Sequence, residues 1–484
     1  MRIDCKRWLL PGSLMASVLL WNCQHAPQSS TPKSTPKKAV SVVAWITNPD
    51  QSALFQKQAG SLIFTAAAAS SSTTSPVIEV DEDQRFQTID GFGYSLTGGS
   101  AVLLGQMGAA ERAALLKELF TTSGTNIGVS YLRVSIGASD LDGHVFSYDD
   151  LPAGQTDPEL RQFNLAPDRT YLIPVLKQIL ALQPDLKILG SPWSPPTWMK
   201  TNNSTKGGSL KPEFYDAYAR YFVRYIQGMK SEGIRIDAIT IQNEPLHPGN
   251  NPSLLMPATE QAAFIKKSLG PAFRAAKLTT KIIAYDHNAD KPEYPITVLS
   301  DADARQYVDG SAFHLYGGQI EALSQVHAAY PDKNLYFTEQ WVGARSSFAE
   351  NLGWHVKNLL IGATRNWART VLEWNLAADP QQNPHTPGGC TECLGALTLD
   401  GSAVKRNVAY YIIAHASKFV RPGAIRIASI STGTLPNVAF QAPNGDRVLI
   451  VQNEQPTPQT FRIRCQGQQA SATLNGGAVG TYVW

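Results

Sequence analysis

A strand–helix alternation from residue 86 to about residue 399 predicts an α/β chain built on a closed (β/α)8 barrel, with a β-sandwich fused to it. Eight short apolar segments carry the barrel expectation, at 88–94, 130–136, 186–193, 238–242, 281–285, 312–316, 335–338 and 370–374. The sandwich expectation rests on the residues after 400. There the helical period stops apart from 403–420, and alternating runs at 425–429, 437–441, 448–452, 461–465 and 480–484 are set off by Pro, Gly and Asn. A doubly wound open sheet would share the strand–helix rhythm, but no Gly-x-Gly-x-x-Gly or P-loop opens any helix.

Taken in order, the chain starts with a targeting segment, residues 1–23. Arg2, Lys6 and Arg7 precede an apolar run over 8–21 that Pro11 and Gly12 interrupt, too short and broken for a membrane span. Cys23 comes directly after it, so the segment resembles a bacterial lipoprotein signal with Cys23 as the lipidated residue. Trp21 and Asn22 stand where small residues are usual, which leaves plain cleavage and release open. Either way the protein is expected to be exported, to the cell envelope or the medium. Residues 24–38, rich in Ser, Thr, Pro and Lys, read as a polar tether. Runs at 39–46, 61–65 and 77–80 read as strands, so 39–85 is assigned to the sandwich, 86–399 to the barrel, and 400–484 to the last barrel helix and the sandwich tail.

Within the barrel the clearest helix is 213–230. Phe214, Tyr218, Tyr221, Phe222, Tyr225 and Met229 recur on one face, and Gly233 stands just beyond as a stop. Residues 109–120 and 258–268 show the same pattern.

A formal charge of +3 without an extended basic run past Lys33–Lys38 argues against a nucleic-acid partner. Membrane contact is expected only through the N-terminal anchor. Cys390 and Cys393 have C-x2-C spacing, which in an exported chain reads as a small disulfide loop; a second C-x2-C that would suggest zinc is missing. Cys465 reads as a buried thiol.

The chemistry gathers at the strand ends, where barrel enzymes place catalytic groups. The run at 238–242 leads into Asn243 and Glu244, stopped by Pro245, and the run at 335–338 ends on Glu339, with Trp341 close behind. Two strand-end carboxylates in a chain with 10 Trp, 17 Tyr and 17 Phe point to glycoside hydrolysis, which needs an acid/base and a nucleophile or second base. Asn243 is placed to bond a sugar 2-hydroxyl. Trp193, Trp198, Trp341 and Trp374 are candidate stacking walls, although most aromatic side chains in any domain are core. Asp140 is a candidate to hold outer hydroxyls, and Arg133 and His314 are donors that can keep one carboxylate ionised. Asn375 and Tyr316 complete the strand-end set. Asp286, His287 and His314 suggest a metal site or, more ordinarily, a satisfied hydrogen-bond network.

These residues resemble glycoside hydrolase family 30, the glucosylceramidase and endo-β-1,6-glucanase group. The resemblance lies in Ile89-Asp-Gly-Phe-Gly93, Leu132-Arg-Val134 with Ser139-Asp140, Ser191-Pro-Trp-Ser-Pro-Pro-Thr-Trp-Met-Lys-Thr-Asn202, Gln242-Asn-Glu-Pro245, His314-Leu-Tyr316, Thr338-Glu339, Trp374-Asn-Leu376 and Ser417-Lys-Phe419. It implies a barrel with a fused sandwich and retaining chemistry, with Glu244 as acid/base and Glu339 as nucleophile. It further implies that Asp140, Trp193, Asn243, Tyr316 and Trp374 hold the sugar at the cleaved bond, with no metal or organic cofactor. The loop Gly388-Gly-Cys-Thr-Glu-Cys-Leu-Gly395 resembles the microbial branch, whose substrates are β-1,6-glucans and β-glucosides. Three rivals stay open at this level: a glucosylceramidase acting on glycolipid, an inverting hydrolase, and a catalytically inactive surface protein that binds sugar.

Overall fold

The computed structural model describes residues 40–67, 75–430 and 433–484. The leader with Cys23, the tether and most of the low-complexity stretch before Val77 lie outside the described residues.

Eight parallel strands close into a barrel. In chain order they are β1 (Gly91–Ser95), β2 (Tyr131–Ser135), β3 (Lys187–Ser191), β4 (Ala238–Thr240), β5 (Lys281–Ala289), β6 (Val308–Gly318), β7 (Asn334–Glu339) and β8 (Ala368–Asn375), with β8 pairing β1 to complete the ring. Every residue of β1 and β2 is buried, which is why the segments read as continuous apolar runs rather than alternating ones. Neighbouring backbones approach closely at Gly93, where a Cβ would lie 1.9 Å from the Tyr131 carbonyl oxygen.

A layer of Tyr131, Leu189, Ala238, Ile283, Ala312, Tyr336 and Leu372 fills the lower barrel. Above it the interior turns polar. Thr240 donates to Asp286 and accepts from the Ser191 hydroxyl at 2.7 Å each, and Thr338 donates to Asp286 at 2.7 Å. A buried polar layer of this kind is tolerated because its members satisfy one another, and it forms the floor of the site.

The strands differ from expectation mainly at β5. It runs past the expected end at 285, because a bulge between Tyr285 and His287 lets the pairing with β6 continue. Tyr285 and Asp286 take positive φ there, 72° and 74°. The bulge turns the Asp286 carboxylate into the barrel.

Around the barrel the helix Tyr215–Ser231 buries Tyr218, Tyr221, Phe222, Tyr225 and Met229, and Gly233 with φ +82° ends it. The expected helix at 403–420 is two elements. Ala403–Arg406 is a strand antiparallel to Leu397–Asp400, and the helix is Val408–Ser417. Asn407 separates them because its side-chain amide bonds the Gly395 carbonyl and Thr398 instead of continuing a helix.

Both ends of the described chain enter one sheet. Ser41–Thr47 pairs antiparallel with Val479–Val483, and Val77–Thr88 lies between Ile425–Ser429 and Gln459–Cys465. The sandwich thus combines N-terminal strands with the C-terminal tail. It also includes Gln468–Leu474, a strand not anticipated, in which small Ala470 and Ala472 are buried between exposed Ser471 and Thr473. His415 on the last barrel helix joins the two parts, bonding Thr47 and Thr481 at 2.8 Å each.

Candidate active site

The C-terminal ends of the barrel strands enclose a cavity of about 300 Å³. Glu244, just beyond β4, and Glu339, the last residue of β7, both line it. Asp140, Trp193, Asn243, Tyr316, Trp341 and Trp374 line it too, as do Cys390 and Cys393.

Glu244 is held in a left-handed backbone conformation, φ 46°, uncommon for a residue with a Cβ. Its N–H donates to the Asp286 carbonyl at 2.9 Å, so the bulge in β5 and the turn after β4 fix each other. From this turn the Glu244 carboxylate reaches the same His314 nitrogen that Glu339 approaches, at 3.3 and 3.7 Å.

Arg133 is fully buried beneath both residues. It donates to Glu339 Oε2 at 2.5 Å, to Asn243 Oδ1 at 2.7 Å, to Asp286 Oδ2 at 2.8 Å and to Ser191 at 3.0 Å. Its guanidinium lies 4.8 Å from the Trp193 ring and 5.8 Å from that of Trp374, and these two rings are 5.5 Å apart. One cation therefore orients a carboxylate, an amide and two indoles. By engaging Asn243 through its oxygen, Arg133 turns the amide nitrogen into the donor left for a ligand.

Glu339 accepts a second bond, from the Tyr316 hydroxyl at 3.0 Å. Glu244 has a different partner. Oε1 of Glu244 lies 3.3 Å from Nδ1 of His314, and Nε2 of His314 lies 3.1 Å from Asp286. The same Nδ1 is 3.7 Å from Glu339.

These contacts set the charges. Burial opposes ionisation of Asp286, but the Arg133 charge and the His314 hydrogen bond outweigh it and hold the carboxyl far below the usual range. Burial also disfavours the His314 imidazolium, yet the Glu339 charge and the bonds to Asp286 and Glu244 raise it to about 9. Burial would raise Glu244; the hydrogen bond and charge of His314, helped by His287 and His247, hold it below the ordinary value. Glu339 is pushed up by burial and by the Glu244 charge, against the pull of His314 and Arg133. Asp140 is raised to about 7 by burial, with the Glu339 charge adding to it. At neutral pH Asp140 is thus a poised hydrogen-bonding group rather than a fixed negative charge.

Three residues expected to contact a ligand sit elsewhere. His314 is fully buried behind the carboxylates and contacts them, not the cavity. Asn375 is buried as well, with its amide directed to the carbonyls of Ala377 and Cys393 at 3.5 and 3.4 Å. Trp198 belongs to the core, its indole N–H on the Asp149 carbonyl and its ring against Phe214. Cys390 and Cys393 form a disulfide in a loop whose Cys390 N–H donates to Asp140 at 3.2 Å.

Four cavity residues were not among those expected to touch substrate: His247, Asn250, His287 and Asn288. The first two lie on the loop after Glu244, where the run His247-Pro-Gly-Asn250 is the available signal. The other two lie on the bulged end of β5. Glu244, His287 and His314 offer ligand atoms within 4.8 Å of one another, a spacing that suits a metal ion. Asp286 is outside that group, since it pairs with Arg133.

Comparison with known proteins places these features in a family. The model of the glycosyl hydrolase family 30 TIM-barrel domain matches residues 89–420, and that of the family 30 β-sandwich domain matches 423–482. The chain is 38% identical over 409 residues to an endo-1,6-β-D-glucanase of Neurospora crassa, covering 81% of this chain and 84% of the relative. It is 28% identical over 449 residues to the lysosomal acid glucosylceramidase of Mus musculus, covering 87% and 85%. The solved structure of an endo-β1,6-glucanase superposes with a TM-score of 0.84 at 35% identity, covering 92% of this chain and 99% of that one.

Proposed function

Because the chain belongs to glycosyl hydrolase family 30 through both its barrel and its sandwich, we propose that it cleaves β-1,6-glucan or related β-glucosides by double displacement, with Glu339 as nucleophile and Glu244 as acid/base. The carrying observation is the unequal company the two glutamates keep. Arg133 and Tyr316 both donate to Glu339, bonds that favour a carboxylate, whereas the hydrogen-bond partner of Glu244 is His314, which can supply a proton, with His287 Nδ1 farther off at 3.9 Å. The spacing supports retention. Both carboxylates approach one nitrogen, at 3.3 and 3.7 Å. The two oxygens come closer than the roughly 6.5 Å at which inverting pairs begin unless the angle between them at that nitrogen exceeds about 135°.

In this reading Glu339 attacks the anomeric carbon as its bond to the departing oxygen breaks, and Glu244 gives that oxygen a proton. Glu244 then takes a proton from water, the water oxygen bonds the anomeric carbon, and Glu339 is released. The Asn243 amide donates to the 2-hydroxyl, Trp193 and Trp374 wall the ring, and Asp140 bonds hydroxyls through Oδ atoms held near neutrality. Residues 86–399 carry the chemistry, with 39–85 and 400–484 as the buttress.

Beside Glu244 the cavity is bordered by His247, Asn250, His287 and Asn288. That polar company suits a sugar as leaving group and offers little to a ceramide chain. The leader and Cys23 make an exported enzyme, tethered or released, the natural companion of polysaccharide hydrolysis.

The test is a product profile on β-1,6-glucan, β-1,3-glucan, glucosylceramide and an aryl β-glucoside, with product anomers followed by NMR. Oligosaccharides released from β-1,6-glucan with retained configuration are expected. Release of glucose from the lipid alone would overturn the substrate, and inverted products would overturn the roles of the glutamates.

A further inference from the structure

Trp341 is a shared wall. One side faces the catalytic cavity; the other faces a second, larger cavity of about 490 Å³. The second cavity is bordered by Gln340, Asn351, Trp354, Arg345 and Glu392. Resting on the proposed function, we infer that this cavity is a distal subsite that takes further glucosyl units of a long β-1,6-glucan chain.

Exposure is the first argument. Tyr316 and Trp354 are the two most exposed aromatic side chains among the described residues, at 39% and 40%. Tyr316 borders the catalytic cavity and Trp354 borders the second one. An indole left this open on a rigid support presents an apolar face of the size a pyranose ring offers.

The support is specific. The Trp354 ring meets His355 edge-on at 5.1 Å, and His355, itself buried, bonds Glu373 at 2.8 Å. The Trp354 carbonyl accepts from Asn358 at 2.9 Å. The indole thus has one edge against a buried, hydrogen-bonded ring.

Polar groups supply the second argument. Gln340, only 6% exposed, borders the cavity, and its Oε1, itself buried, has no hydrogen-bond partner among the described residues. Asn351 is fixed by its bonds to Ser346 and Ser347, and the Arg345–Glu392 pair at 2.8 Å forms the rim. An aromatic face among amide and charged groups matches a hydroxylated chain better than an apolar protein surface. Continuity with the catalytic cavity through Trp341 makes that chain the substrate. Glu392 lies between the two disulfide cysteines, so one loop shapes both cavities.

The experiment compares Trp354→Ala with wild type, as full chains, on an aryl β-glucoside and on long β-1,6-glucan. Turnover of the aryl glucoside should be unchanged, while KM for the polymer should rise roughly tenfold, the loss of about one aromatic contact. Trp354→Phe should recover most of it. Retardation in a native gel cast with β-1,6-glucan should weaken for Trp354→Ala. Unchanged polymer KM and retardation would overturn the inference. Equal losses on both substrates would also overturn it, by making Trp354 a support of the catalytic cavity. Wild type that cleaves the aryl glucoside but neither cleaves nor binds the polymer would instead overturn the proposed substrate, and the subsite with it.

Discussion

Nδ1 of His314 lies 3.3 Å from the Glu244 carboxylate, while Nε2 of the same ring lies 3.1 Å from Asp286. An imidazolium beside an ionised Glu244 and a neutral imidazole beside a protonated Glu244 contain the same number of protons. One proton therefore serves both residues, and its movement along that contact arms the acid. The His314 charge is held up to about 9. Above that pH the shared proton is lost and Glu244 has nothing to donate, so kcat/KM should fall as pH rises through about 9. Asp286 is one of the groups that raise His314, so Asp286→Asn should move this alkaline limb to lower pH. A limb at the same pH in wild type and Asp286→Asn would contradict the shared proton.

Loss of each glutamate should leave a different signature. Glu244→Ala should lower turnover of β-1,6-glucan by about 10²–10⁴-fold, yet far less on an aryl glucoside whose phenolate leaves without a proton. Glu339→Ala should abolish turnover of both, since no covalent intermediate forms. Steady-state rates on the two substrates check the pair. An equal deficit of Glu244→Ala on both would sink its role as acid.

Arg133 is a buried charge between Asp286 and Glu339, with side-chain exposure of 0% for itself and for Asp286. Arg133→Met leaves the two carboxylates without the guanidinium that bridges them, with His314 still in contact with both. Removing one partner from such a group costs about 3–5 kcal/mol of stability. Chemical denaturation should show a loss of that order, and Arg133→Lys should recover only part of it, since a point charge cannot reach Glu339, Asn243 and Asp286 in one plane.

Much of this arrangement was legible from residues alone. The eight strand segments, the sandwich drawn from both ends of the chain and the family resemblance agree with the barrel and the family match. Depth within the barrel was not legible. His314 and Tyr316 are two residues apart on one strand and share a face, yet the first is fully buried and the second is 39% exposed. Period-two patterning gives the face of a strand but not its height in the barrel. Trp198 misled for a related reason, since a tryptophan five residues past Trp193 looks the same whether its loop folds toward the cavity or the core. His247 and Asn250 were missed because they sit on a loop, where no periodicity reports direction.

The Cys390–Cys393 loop should act through Asp140. Cys390 N–H donates to the Asp140 carboxylate at 3.2 Å, and Thr386 N–H donates to the Asp140 carbonyl at 2.8 Å. At Gly389 a Cβ would lie 2.4 Å from that carbonyl oxygen, so the loop presses directly on Asp140. A Cys390→Ser/Cys393→Ser double variant should loosen this clamp. KM for β-1,6-glucan should rise by roughly tenfold, comparable to losing one hydrogen bond to a charged group, with a smaller change in kcat. Kinetics of the double variant and of dithiothreitol-treated wild type should agree. Unchanged KM in both would show that Asp140 is held without the disulfide.

Stability should favour mildly acidic solution. Asp140 and Asp168 are raised to about 7 and Asp142 to about 6, in each case chiefly by burial. For a carboxyl whose folded pKa lies above its unfolded value of about 3.9, the folded chain holds the proton more tightly. The resulting stabilisation is complete below about 4 and is lost as pH rises through the folded pKa. Asp286 works in the opposite sense, since its depressed pKa confers stability that fails only in strong acid. Between about pH 5 and 8 the raised group dominates, so Tm should fall across that interval. Asp168 provides the control, because it accepts from the Tyr148 hydroxyl at 2.6 Å and does not line the catalytic cavity. Asp168→Asn keeps an acceptor for Tyr148 but cannot titrate, so it should flatten the decline while leaving the pH profile of kcat/KM in place. Differential scanning calorimetry at several pH values checks both, and a Tm that climbs from pH 5 to 8 would show that these aspartates are ionised without penalty.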